Sequence, residues 1–207
     1  MNKPPFDYSL YLITDGKPNL LERTRQALQG GVTCIQYREK NKPFPEMVIE
    51  ARTLKKLCHQ YGVPLFINDH LDLAKEIEAD GLHLGQTDAT ILEARNKLGD
   101  IPIGITASCV KEAAEAEANG AVYLGVGAIF PTASKQDATM TSQKTAKAIK
   151  QTVNIPILLI GGISLETAPT ITIPYDGLCV ISAILSAQNP REEAAKLKQL
   201  IRHRIGK

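Results

Sequence analysis

The sequence predicts a single (β/α)8 barrel, with residues 1–207 forming one domain. Short apolar runs alternate strictly with helical patterns from one end of the chain to the other. Eight such pairs fit within 207 residues, the lower end of the usual barrel size. Most of the runs are continuously apolar rather than alternating, as strands covered on both faces are.

Strands are expected at Ser9–Thr14, Cys34–Tyr37, Leu65–Ile67, Gly81–Leu84, Ile103–Thr106, Tyr123–Val126, Ile157–Ile160 and Gly177–Ile181. Helices are expected at Leu20–Gln29, Pro45–Tyr61, Leu71–Ile77, Ile91–Leu98, Val110–Asn119, Ser142–Thr152, Leu165–Ile171 and Pro190–Arg204. The clearest is the Ala/Glu/Lys-rich stretch from Lys111 to Ala118, which stops at Asn119-Gly120, a good C-terminal signal. Strict alternation implies a parallel sheet. A flavodoxin-like or Rossmann sheet is the alternative. No G-x-G-x-x-G follows the first strand, however, and eight units exceed what such a sheet needs.

A hydrophobic content of 43% supports a sizeable core, and a formal charge of +2 implies no broad polyanion-binding surface. Without a Lys/Arg-rich run, zinc-finger spacing or aromatic-basic interleaving, nucleic acid is not an expected partner. The longest apolar stretch, Ile155 to Ile163, is too short to span a bilayer, and Met1 to Pro5 lead into the first strand without a signal-peptide core. Cys34, Cys58, Cys109 and Cys179 are dispersed, which favours reduced, mostly buried thiols over disulfides. A reduced cytoplasmic enzyme fits all of this, and a homodimer is compatible with it.

In a barrel, the residues immediately after each strand build the site. Gln36, Arg38 and Lys40 alternate at the end of the second strand and so share a face. Two cations and an amide there suit a phosphorylated ligand, although solvated charges at a strand end would look the same. Asp69, preceded by Asn68, and Asp88 follow the third and fourth strands. Each taken singly could cap a helix. As a pair they are what Mg²⁺ prefers, with water and substrate phosphate completing its oxygen shell. Gly161-Gly162 and Ile181-Ser182 fall after strands seven and eight, where barrels often hold phosphate. The long loop after strand six carries Thr132, Ser134 and Lys135, and loops of that length are more often functional than idle. His83 lies within an apolar strand and is expected in the core, whereas His59, His70 and His203 are expected on helix surfaces.

Together these motifs resemble the thiamine phosphate synthase family. The carriers run from Tyr11-Leu12-Ile13-Thr14-Asp15 through Gln36-x-Arg38-x-Lys40, Asn68-Asp69, His83-Leu84-Gly85-Gln86-Thr87-Asp88 and Pro131-Thr132-Ala133-Ser134-Lys135. They continue to Gly161-Gly162-Ile163 and Ser182-Ala183-Ile184. The resemblance implies a (β/α)8 fold and the joining of hydroxymethylpyrimidine diphosphate to a thiazole phosphate, with loss of pyrophosphate. By the family pattern, Gln36, Arg38, Lys40, Asn68 and Lys135 bind the pyrimidine diphosphate, and Thr106 stands near it where Ser is usual. The pattern also assigns Asp69 and Asp88 to Mg²⁺, and Thr132, Ser134, Gly162, Ile181 and Ser182 to the thiazole phosphate. Arg38, Lys40 and Lys135 would stabilise the departing charge. The chain departs from the pattern at Ser134, Tyr37 and His70, and Gln136 to Lys144 lack the expected Gly-containing helix start. Two rivals share the thiazole phosphate site: a thiazole tautomerase of the same superfamily, and a catalytically silent barrel that only binds the thiazole phosphate. Neither needs Asp88, the Gln36-x-Arg38-x-Lys40 run or Lys135.

Overall fold

A computed structural model describes residues 5–132 and 140–205. Eight parallel strands close on themselves in chain order: β1 (Leu10–Ile13), β2 (Cys34–Tyr37), β3 (Leu65–Asn68), β4 (Gly81–Leu84), β5 (Ile103–Ala107), β6 (Tyr123–Val126), β7 (Ile157–Ile160) and β8 (Gly177–Val180). β1 pairs with both β2 and β8, which closes the barrel. The helices are α1 (Leu20–Gln29), α2 (Phe44–Gln60), α3 (Leu71–Glu76), α4 (Ile91–Leu98), α5 (Val110–Ala118), α6 (Gln143–Thr152), α7 (Ser182–Leu185) and α8 (Pro190–Ile205).

Each strand sends alternate side chains to two separate cores. Leu10, Leu12, Ile35, Leu65, Ile67 and Leu82 join the helices in the outer core. Tyr8, Tyr11, Ile13, Cys34, Phe66, Tyr123, Leu158 and Cys179 fill the barrel itself. Small barrels must match large inward residues with small ones. A Cβ on Gly104 would lie 2.0 Å from the Tyr123 ring, so that ring occupies the space a side chain on β5 would take. Cys34, Cys58 and Cys179 are buried, and all four thiols are free.

The segment Leu165–Ile171, expected as a helix, is instead a single 3-10 turn at Ala168–Thr170. Leu165, Ala168 and Ile171 mimic helical spacing, but Pro169 supplies no N–H and disfavours the α conformation before it. The Ser164 hydroxyl also draws the N–H groups of Glu166 and Thr167 into a local turn. The unanticipated helix α7 follows β8 directly. Among the described residues, no helix is long and apolar enough to cross a membrane.

Candidate active site

A cavity of about 480 Å³ opens at the C-terminal ends of the strands. Gln36, Arg38, Lys40, Asn68, Asp69, Asp88, Thr106, Thr132, Gly162, Ile181 and Ser182 all line it, so every site residue expected from sequence within the described segments is brought together. Ser134 and Lys135 lie outside the described residues. A larger groove of about 1040 Å³ lies on the opposite face, between α1, α2 and α8, far from these groups.

The basic side begins at β2. Thr14, fully buried, accepts a hydrogen bond from the Arg38 N–H at 2.8 Å and donates to the Arg38 carbonyl at 3.0 Å. Glu39 is buried and does not line the cavity. Its Oε1 accepts from the N–H groups of Lys40 and Asn41 at 2.7 and 2.9 Å. Burial alone would raise the Glu39 carboxyl, but these N–H groups and Lys42 hold it below the ordinary range. The loop presenting Arg38 and Lys40 is therefore fixed by backbone contacts, which leaves both cations without an ion pair among the described residues.

Asp69 and Asp88 form the acidic side. Neither caps a helix: the cap position of α3 is His70, and that of α4 is Thr90, whose side chain forms a full capping box with Glu93. Asp69 sits in the left-handed region at φ 60°, its N–H bonded to the His83 carbonyl at 2.9 Å. Asp88 accepts from the Gly85 N–H at 2.7 Å. Burial, then the hydrogen bond its protonated form donates to Asp88 and the charge of Asp88, push the Asp69 carboxyl up to about 7, against a smaller pull from Asn68 and Arg38. Two carboxyl groups held this close share a proton or a cation.

On the far side, β7 leads into Gly161 and Gly162, both with positive φ, at 95° and 60°. These conformations favour glycine and leave backbone N–H groups accessible to an anion. Thr167 donates to the Gly162 carbonyl at 2.7 Å and fixes this turn. Ser182 opens α7, and Ile181 precedes it. Because strands three and four stand half a barrel away from seven and eight, the acidic pair and the Gly-Gly turn face each other across the cavity.

A family model described as thiamine monophosphate synthase matches residues 10–184. The chain belongs to the thiamine monophosphate synthase family. It is 45% identical over 202 residues to the thiamine-phosphate synthase of Clostridium acetobutylicum, covering 95% of this chain and 96% of that one. It is 43% identical over 201 residues to its counterpart in Clostridium perfringens, covering 94% and 97%. A thiamine phosphate pyrophosphorylase structure from Pyrococcus furiosus superposes with a TM-score of 0.88 at 36% identity, covering 97% of this chain and 98% of that one. This member of the thiamine monophosphate synthase family is accordingly a transferase of thiamine biosynthesis.

Three contributors to this candidate site had no role assigned from sequence. Glu112, at the start of α5, accepts from the N–H and hydroxyl of Ser108 at 2.6 and 2.9 Å and lines the cavity. Thr14 and Glu39 act through the backbone, as described above. Glu112 carries a faint signal, four residues after Ser108 at a helix start. Thr14 is marked only as part of the Tyr11–Asp15 motif, and Glu39 only as the residue between Arg38 and Lys40.

Proposed function

We propose that this cavity joins hydroxymethylpyrimidine diphosphate to a thiazole phosphate, plain or carboxylated, and releases pyrophosphate. The observation that carries the reading is the close Asp69–Asp88 pair beside Arg38 and Lys40, which have no ion pair among the described residues, opposite the Gly161-Gly162 turn. One side suits a diphosphate, the other a monophosphate.

The bond between the pyrimidine methylene and the diphosphate oxygen breaks, and pyrophosphate leaves with the electron pair. The thiazole ring nitrogen supplies the pair for the new carbon–nitrogen bond. An electron-rich aminopyrimidine stabilises the cationic methylene, so no protein nucleophile is required. Arg38, Lys40 and Lys135 stabilise the departing charge, with Gln36, Asn68 and Thr106 orienting the ring. Thr132, Ser134, Gly162, Ile181 and Ser182 hold the thiazole phosphate. Asp69 and Asp88 would hold Mg²⁺, and the donor set fits it: two carboxylates close enough to share a proton, with room for phosphate and water oxygens. Mg²⁺ bound there would supply charge neutralisation at the diphosphate. The reading also includes a cytoplasmic setting, with a homodimer compatible.

The test is thiamine phosphate formation from the two substrates, with and without Mg²⁺, in the wild type and in Asp88→Ala. Product that requires Mg²⁺ and falls at least about a hundredfold in the variant is expected. Thiazole phosphate binding without any product would instead assign a tautomerase or a silent binder.

A further inference from the structure

Beneath the cavity a chain of hydrogen bonds crosses the barrel interior, and the reaction just described uses only its two ends. Gln36 Nε2 donates to the Tyr11 phenol at 3.2 Å, and the Tyr11 and Tyr123 phenols are bonded at 2.8 Å. Tyr123 meets His83 Nδ1 at 2.9 Å, and His83 Nε2 meets Thr106 Oγ1 at 2.9 Å. Gln36 and Thr106, the two ends, both line the cavity. The phenols between them are sealed from solvent, each 1% exposed.

The surroundings hold these groups in place. The Tyr123 ring packs against Tyr8, Tyr11 and Phe66 with centroids 4.7 to 5.8 Å apart, and His83 stacks on it at 5.6 Å with planes 20° apart. The missing Cβ of Gly104 gives that ring its space. Burial raises both phenols well above their ordinary value, so each keeps one proton to pass along the chain.

One proton per link gives the chain a direction. Tyr11 accepts from Gln36, so its own proton goes to Tyr123; the Cys34 thiol that also touches it is the weaker acceptor. The Tyr123 proton then goes to His83 Nδ1, which leaves the imidazole proton on Nε2 for Thr106 Oγ1. Thr106 keeps its own O–H for the cavity. At the other end, Gln36 Oε1 has no protein partner among the described residues and stays an acceptor.

We infer that Tyr11, Tyr123 and His83 are positioning residues that lock Gln36 as an acceptor and Thr106 as a donor toward the pyrimidine. The pair selects a ring with an amino group on one edge and a nitrogen lone pair on another. A 4-oxo ring would set carbonyl oxygen against Gln36 Oε1. The inference rests on the synthase reading, because it concerns that substrate's ring.

The experiment measures calorimetric binding of the 4-aminopyrimidine diphosphate and its 4-oxo counterpart to wild type, Tyr123→Phe, Thr106→Val and the double variant. Thiazole phosphate binding serves as the control. The wild type should prefer the amino ligand about a hundredfold, and Tyr123→Phe should cut that preference to about tenfold while the control is unmoved. Thr106→Val should cost less in the Tyr123→Phe background than alone, because the relay that fixes its role is already broken. An unchanged preference in Tyr123→Phe, or strictly additive losses, overturns the relay. Should Tyr123→Phe fail to fold, His83→Phe interrupts the same chain and takes its place. Wild type that binds neither pyrimidine diphosphate overturns the synthase reading itself, whereas normal turnover with an unmoved ratio overturns the relay alone.

Discussion

Asp69 and Asp88 are the residues whose chemistry depends most on their surroundings. The Asp69 carboxyl is raised from an ordinary 3.8 to about 7 by burial and by its neighbour. A carboxyl raised in the folded state favours folding when protonated, so its contribution is complete below pH 3.8 and is lost as pH climbs through about 7. Metal-free protein should therefore show a melting temperature that falls between pH 5 and 8 by a component missing from Asp88→Asn. Mg²⁺ should raise the melting temperature more at pH 8 than at pH 5, since it competes with the shared proton. Melting curves at the two pH values check this, and a Mg²⁺ effect that ignores both pH and Asp88 would remove the pair as a metal site.

Individual elements are too short to position these groups unaided. Helix α7 has four residues, below the length at which a helix holds itself in water. Arg23 of α1 secures it, donating to the Leu185 carbonyl at 3.1 Å while gripping Asp15 after β1 at 2.7 and 2.9 Å. Burial alone would raise Asp15, but Arg23 and the Lys17 N–H hold it below the ordinary carboxylate range. Arg23→Ala should cost about 1–3 kcal/mol of stability, because a half-buried carboxylate loses its partner. It should also weaken thiazole phosphate binding roughly fivefold to tenfold, leaving the pyrimidine diphosphate almost unaffected. Titration of each substrate separately decides it: equal losses for both would mean general loosening rather than a displaced α7.

Across the whole molecule, the barrel interior sets the fit. Gly104→Ala would place a Cβ 2.0 Å from Tyr123, inside a core that has no slack on that side. The overpacking should cost about 2–3 kcal/mol, roughly 5–10 °C in melting temperature for a chain of this size. Differential scanning calorimetry tests it. An unmoved transition would mean that the aromatic cluster of Tyr8, Tyr11, Phe66 and Tyr123 can shift freely.

The eight strands were legible because each is a continuous apolar run, and strict alternation with helices forced them parallel. The residues that line the cavity were legible because a barrel gathers whatever follows its strands at one face. What the runs concealed was which side of each strand faces inward: with both faces apolar, Tyr11 and Leu12 look alike in sequence. Helix α7 was hidden because Ser182–Leu185 merely prolongs the apolar β8, and Leu165–Ile171 misled because its spacing is helical while Pro169 is not. Local spacing left open whether Asp69 and Asp88 cap helices. Only the folded chain moved those caps to His70 and Thr90 and left the carboxylates facing one another. By itself the sequence determined the barrel, the end of it where the candidate site lies and the residue types collected there, because strand and helix patterns are local. Tertiary structure alone decided the Asp69–Asp88 coupling, the backbone grip of Thr14 and Glu39, and the relay through Tyr11, Tyr123 and His83. Each of these joins groups whose distance in space is fixed only when the barrel closes.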